Sequence, residues 1–181
     1  MQKSSLLSTV LRSWDDLQLQ DCWLVAGSVA QTVWNSRFDL PHDFGISDLD
    51  LVYFDPDDLS VEAEQAHAKR IRDRFKDLPV WFDVKNEARV HLWYEDKFGY
   101  SIDQYQSVEA AISTFPTTAT AVGIRLTTDE LEVHSPFGLD DLMEGIIRPN
   151  KAQITKDIYD AKVKRWIKAW PKLVTVEWDD G

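Results

Sequence analysis

Ser47-Asp48-Leu49-Asp50-Leu51-Val52-Tyr53 is the stretch that decides how this chain folds. Residues two apart in an extended strand point to the same face, so Asp48 and Asp50 stand on one side and Leu49, Leu51 and Tyr53 on the other. The apolar side faces a core. Asp is poorly suited to strand interiors, and two of them in one short strand call for a reason. Solvated aspartates on a half-exposed strand are the plain alternative, because the chain has 31 acidic residues to distribute.

Downstream, Pro56-Asp57-Asp58 ends the strand in a turn. A helix follows over 60–78, with Ser60 as N-cap and Ile71, Phe75 and Leu78 on one face. Val80 to Val84 is the next strand, in which Asp83 is again framed by apolar neighbours. If this strand pairs beside the first, Asp83 joins Asp48 and Asp50. Neighbouring strands lie only about 4.8 Å apart, so three such carboxylates repel one another unless cations sit between them. All-oxygen clusters of this kind suit Mg2+ or Mn2+.

Upstream, Cys22 to Ala26 reads as a short buried strand that runs into Gly27-Ser28, with a helix over 29–36. Backbone N–H groups at a helix start can face phosphate oxygens, Gly27 permits close approach, and Ser28 adds a hydroxyl. An ordinary strand-to-helix turn uses the same pair of residues.

The remaining pattern is a mixture of both element types. Leu6, Val10, Leu11, Trp14 and Leu17 have helical spacing over 5–18. Residues 86–98 fit an alternating strand through Ala88, Val90 and Leu92, but a helix is favoured by Asn86 as cap and Gly99 as stop. A short helix near 107–113, strands near 118–126 and 130–134, a helix over 138–147 and a last helix over 155–170 complete the chain. The expected class is α/β (α+β): a small mixed sheet carrying the carboxylates, flanked by helices. Residues 1–181 read as one domain with helical elements at 5–18 and 138–170.

Composition narrows the function classes. Hydrophobic residues make up 44% and charged residues 28%, which is ordinary for a globular chain and unlike a disordered one. The formal charge of −11 opposes binding of a long DNA duplex and suits a substrate that arrives as a metal complex. The single Cys22, flanked by Trp23 and Leu24, reads as a buried structural thiol. No apolar run approaches the ~20 residues that span a membrane, so no membrane partner is expected and the chain reads as soluble and cytoplasmic. Most of the eight Trp read as core.

Taken together, Val25-Ala26-Gly27-Ser28, Asp48-Leu49-Asp50 and Phe82-Asp83-Val84 resemble the signature of the nucleotidyltransferase superfamily with the DNA polymerase β-type fold. Ser47-Asp48-Leu49-Asp50-Leu51, the run from Asp83 through Val84, Lys85, Asn86, Glu87, Ala88, Arg89, Val90, His91, Leu92 and Trp93 to Tyr94, Phe115 to Gly123, and Arg148-Pro149-Asn150 look like a bacterial family first catalogued as a domain of unknown function. The resemblance spans roughly residues 20–172. One departure is the 21-residue offset from Gly27 to Asp48, which makes the 37–47 loop a candidate for acceptor recognition.

The resemblance implies a nucleoside triphosphate substrate, two Mg2+ or Mn2+ ions held by Asp48, Asp50 and Asp83, and a nucleotidyl product with pyrophosphate released. Asp48 and Asp50 would ligate both ions, while Asp83 would ligate one and help deprotonate the attacking hydroxyl. The acceptor stays open among a small molecule, a protein side chain and an RNA end.

Lys85 and Arg89 follow Asp83 closely enough to stabilise triphosphate charge, and Thr118 and Thr120 could contact a ribose or base. Arg89 fits a salt bridge as well, the threonines fit strand propensity, and His91 reads as structural. In the last helix Tyr159, Val163, Trp166 and Trp170 form a core stripe. Lys156, Lys162, Lys164, Arg165 and Lys168 read as its solvated face, with guidance of an anionic acceptor as the alternative. A catalytically silent nucleotide-binding or interaction module and a metal-dependent phosphohydrolase are the rival functions.

Overall fold

Apolar residues at every second position along 48–53 and 81–86 build two strands that lie side by side. A computed structural model describes residues 5–128 and 130–180. In it β1 (Trp23–Val25), β2 (Asp48–Tyr53), β3 (Trp81–Asn86), β4 (Gly123–Leu126) and β5 (Leu131–His134) form one sheet in the order β3-β2-β1-β4-β5. The helices are α1 (Ser5–Arg12), α2 (Gly27–Arg37), α3 (Val61–Arg74), α4 (His91–Phe98), α5 (Val108–Ile112), α6 (Asp140–Glu144) and α7 (Lys156–Ala169). β2 and β3 run parallel, with α3 as their crossover, and the other three pairings are antiparallel. This is the mixed α/β class expected from the sequence.

One face of the sheet carries the main core. Leu24, Leu49, Leu51, Phe82, Val84 and Ile124 pack there with Leu7 and Val10 of α1, Val29 and Trp34 of α2, Ile71 of α3 and Trp166 of α7. Phe75 stacks on Phe82 with centroids 5.0 Å apart. Trp34 meets Trp166 and Trp170 edge-on at 5.8 and 5.7 Å. The Trp170 indole N–H donates to Asn35 Oδ1 at 2.7 Å, so its polar handle is satisfied inside. On the opposite face a smaller cluster of Trp23, Val25, Val52, Ile112 and Ala121 lies under α5, leaving the Asp48 end of β2 and β3 without an apolar cover. Cys22 is buried with its thiol pKa pushed up by burial, the inert state expected of it.

Three differences from the sequence pattern have local causes. Residues 118–122 are not strand: Thr120 and Ala121 both donate backbone N–H to Thr117 O, at 3.2 and 2.9 Å, and this turn takes the backbone out of the ladder. The strand begins at Gly123, where a Cβ would come within 2.7 Å of Ile112. The helix expected over 138–147 ends at Glu144, because Gly145 (φ 72) turns the chain into β6 (Ile146–Ile147), which pairs with β7 (Val174–Thr175). A two-residue strand has no period to read. The first helix is shorter too, ending at Arg12 before a separate 3-10 turn over Trp14–Leu17. Over 86–98 the favoured helix is present as a 3-10 turn, Glu87–Arg89, and then α4; Asn86 caps it by accepting from Ala88 N at 3.1 Å. Among the described residues no helix is long and apolar enough to cross a membrane.

Candidate active site

Parallel pairing in register sets Asp50 opposite Asp83 and Asp48 opposite Trp81, so all three carboxylates rise from one face of the sheet. Asp48 is exposed, while Asp50 and Asp83 are partly covered. Burial pushes the Asp50 pKa up to about 7; the Asp48 and Asp83 charges add to this, and Lys162 and Arg165 of α7 oppose it. Asp48 Oδ1 accepts from Ser47 Oγ at 2.7 Å, and Asp83 Oδ1 lies 3.4 Å from Lys85 Nζ. The outer two carboxylates thus have polar partners of their own, whereas Asp50 makes no ion pair among the described residues.

Among the described residues no three acidic, histidine or cysteine groups converge tightly enough to form a metal cage by themselves. Mg2+ is typically held by one or two carboxylates together with substrate phosphates. An all-oxygen donor set on adjacent strands, with no thiol or imidazole in it, fits that kind of binding.

Across the sheet, Val25 pairs with Asp50, and the chain then turns at Ala26 into α2. Ala26 has φ 56 and ψ −125, a backbone region that side chains disfavour. Such residues store ~1–3 kcal/mol of strain and cluster at functional sites. The turn is held by Ala26 N donating to Val122 O at 2.9 Å and by Ala30 N donating to Ala26 O at 3.1 Å. At Gly27, a Cβ would meet only Gln31 Nε2, at an ordinary 3.4 Å. Nothing in the protein itself requires glycine there. Ser28 is only 1% exposed, and among the described residues its Oγ has no hydrogen-bond partner, nor does Gln31 Oε1 one turn later.

The other candidate residues divide. Lys85 stands at the site, paired with Asp83. Arg89 is committed elsewhere: its Nη1 donates to Glu64 Oε1 at 2.8 Å and its Nε to Leu59 O at 3.2 Å. Glu64 Oε2 in turn accepts from Asn86 N at 2.8 Å, so this buried knot ties the end of β3 to α3. Thr118 Oγ1 donates to Asp141 Oδ2 at 2.6 Å, a carboxylate that Arg148 also holds. Thr120 is buried, its hydroxyl 2.7 Å from that of Thr117.

Two features were missed. Glu87 is buried close enough to Asp50 and Asp83 to feel their charge, and its pKa is raised to about 8, chiefly by burial and then by Glu64 and Asp50. Lys162 and Arg165, read as a solvated face, turn toward the carboxylates. Lys162 is partly buried and its pKa is lowered, first by burial and then by Arg165; Asp50 and Asp48 pull it back up, and Lys97 of α4 repels it. Their three-residue spacing set both on one helix face, but only the packing of α7 decides what that face looks at.

A family model described as nucleotidyltransferase matches residues 12–175. The chain is similar to a structure solved by NMR and described as a CCA-adding enzyme head domain, with a TM-score of 0.80 and 27% identity over 97% of this chain and 92% of that one. It is also similar to a tRNA-processing enzyme in an apo form, with a TM-score of 0.49 and 14% identity over 92% of this chain and 44% of that one. No curated protein matches it.

Proposed function

The chain belongs to the nucleotidyltransferase family, and on that premise we propose that Asp48, Asp50 and Asp83 hold Mg2+ or Mn2+ with a nucleoside triphosphate, whose nucleoside monophosphate passes to a hydroxyl-bearing acceptor. The observation that carries this reading is the strand register: it stacks Asp50 against Asp83, with Asp48 on the same face, in a setting where their like charges are unfavourable without a bound cation.

The residues take separate parts. Gly27 lets phosphate oxygens approach the amide end of α2, which has no acidic residue in its first turn to repel them. Lys162 and Arg165 supply positive charge on the side facing Asp50, with Lys97 close by. Asp83, on the outer strand, faces the acceptor and takes the proton from its hydroxyl; Lys85 steadies the Asp83 carboxylate. The acceptor oxygen bonds to the α-phosphorus as the bond from that phosphorus to the β-bridging oxygen breaks, and pyrophosphate leaves. Bound divalent ions would stabilise the entering and leaving oxygens of this displacement. The acceptor stays open among a small molecule, a protein side chain and an RNA end. The likeness to a domain described as a CCA-adding enzyme head makes the RNA end the first to try.

The test is to incubate the protein with Mg2+ or Mn2+, labelled nucleoside triphosphates and cell extract. The expected result is pyrophosphate release together with label on an acceptor. Release of inorganic phosphate with no labelled acceptor would assign the site to hydrolysis instead.

A further inference from the structure

The carboxylate face also bears an indole that packing leaves open. Trp81 is 57% exposed, whereas Trp23, Trp34, Trp166 and Trp170 are buried. It begins β3 directly across from Asp48 and two residues before Asp83, with its Cβ on their face of the sheet. β3 is the sheet edge, so its outward carbonyls lack a strand partner. Arg72 reaches round from α3, donates Nε to Phe82 O at 2.9 Å, and lays its guanidinium 3.9 Å from the indole centroid. One side of the ring is therefore held by a cation that is itself fixed to the backbone. Beside it, along the same edge, Arg72, Val84 and Lys85 help line a cavity of about 250 Å3.

We infer that the β3 edge is the acceptor side of the site, and that Trp81 is a stacking platform for the unpaired terminal base of a single-stranded nucleic acid whose end carries the attacking hydroxyl. This rests on the nucleotidyltransfer reading above. A triphosphate seated on the start of α2 beside β1 crosses β2 at Asp50, which leaves the β3 side for the acceptor. Every base presents a π-face, and an indole stacked on a guanidinium is a strong partner for it. Arg72 places positive charge on this edge, where Lys85 is paired with Asp83 and Glu64 shares the cavity wall; in a chain whose net charge is −11, this modest cationic character suits the few phosphates of a strand end rather than a long duplex.

The test uses a short single strand with a 5′ fluorophore and a free 3′ hydroxyl, prepared as RNA and as DNA, titrated in Mg2+ without nucleotide and followed by anisotropy. A second version lacks only the terminal base. Removing that base takes away one base–aromatic stack and should weaken binding by about tenfold. Trp81→Ala should weaken the intact strand by the same factor and the base-less strand no further, and Trp81→Tyr should retain most of the affinity. Binding of RNA, DNA or both in this pattern upholds the platform and says which end it accepts. The inference is overturned if the wild-type protein binds neither strand, if the base-less end binds as tightly as the intact one, or if the two losses simply add. Should Trp81→Ala fail to fold, Trp81→Tyr and the base-less strand on wild-type protein still decide. The nucleotidyltransfer reading fails separately, as an absence of Mg2+-dependent nucleotide binding by the wild-type protein.

Discussion

The two faces of the β2–β3 pair are made by the same strands in the same register, yet they are opposites. Leu49 pairs with Phe82 and Leu51 with Val84 on one face, all buried in the main core. Asp48 pairs with Trp81 and Asp50 with Asp83 on the other. The first face is buried and densely packed; the second brings like charges together beside an exposed indole, with a strained Ala26 at its inner margin and a Ser28 hydroxyl that has no partner among the described residues. Such a site costs stability, and the apolar face opposite is what can carry that cost.

The largest expected effect follows from removing one charge. Asp50→Asn keeps shape and loses charge, so nucleotidyl transfer should fall by at least about a thousandfold, while the nucleotide-free protein melts at a higher temperature than wild type. Parallel assays of transfer and thermal melting check both halves. A lower melting temperature for Asp50→Asn would mean that the carboxylate is satisfied in the resting protein, and the contrast between the faces would disappear.

Leu51 lies one residue away and points the other way. Leu51→Ala should destabilise by about 2–5 kcal/mol through lost burial and a residual cavity. Variant that still folds should keep its nucleotide affinity within a few-fold. Urea denaturation with nucleotide titration measures this, and equal damage to binding from Leu51→Ala would show that the faces are not separable.

Much of this contrast was legible in the sequence because period two is a strong signal. Asp48-Leu49-Asp50-Leu51 and Phe82-Asp83-Val84 named both faces, and Gly27-Ser28 marked the turn into α2. What stayed hidden was decided by packing between distant elements. Lys162 and Arg165 show cationic character in sequence, but their facing Asp50 depends on where α7 docks, which Trp166 and Trp170 fix against Trp34. Glu87 follows the Asn86 cap with nothing in the sequence to mark it, and only the fold buries it near Glu64 and Asp50. Arg89, four residues after Lys85, fits a triphosphate contact or a salt bridge equally well in sequence, and only the docking of the crossover helix shows that Glu64 holds it. Thr118 and Thr120 fitted a strand by propensity, and the backbone turn at Thr117 overrode it.

The charged face should also give the protein an inverted pH profile. Asp50 and Glu87 ordinarily titrate at 3.8 and 4.5 but are raised to about 7 and about 8 in the fold. Between those values the unfolded chain has lost protons that the native state keeps, so stability falls as pH rises. The loss contributed by Asp50 runs from about pH 4 to about pH 7, and that from Glu87 continues to about pH 8. We expect a progressive loss of stability in the metal-free protein, seen by chemical denaturation from pH 5 to pH 8.5. Asp50→Asn should flatten the lower part of this slope and Glu87→Gln the upper part. A profile that rises over the same range would show that both carboxyls are ionised at neutral pH in the native state.

The smallest structural effect, and the sharpest test of the inner margin of the site, is expected at Gly27. A methyl group there meets only Gln31 Nε2 at 3.4 Å, a van der Waals distance, and the residue opens a helix in which Ala is favoured over Gly. Gly27→Ala should therefore leave the melting temperature within about 2 °C of wild type or raise it, because an added Cβ also restricts the unfolded chain. If phosphates come close to the α2 amides, the same methyl group stands in their path, and Mg2+–nucleotide affinity should drop by about tenfold with the fold intact. Calorimetric titration beside thermal melting separates the two effects. A folded Gly27→Ala protein that binds nucleotide as wild type does would remove the phosphate from this turn, and the glycine would then have no role that either the packing around it or the ligand explains.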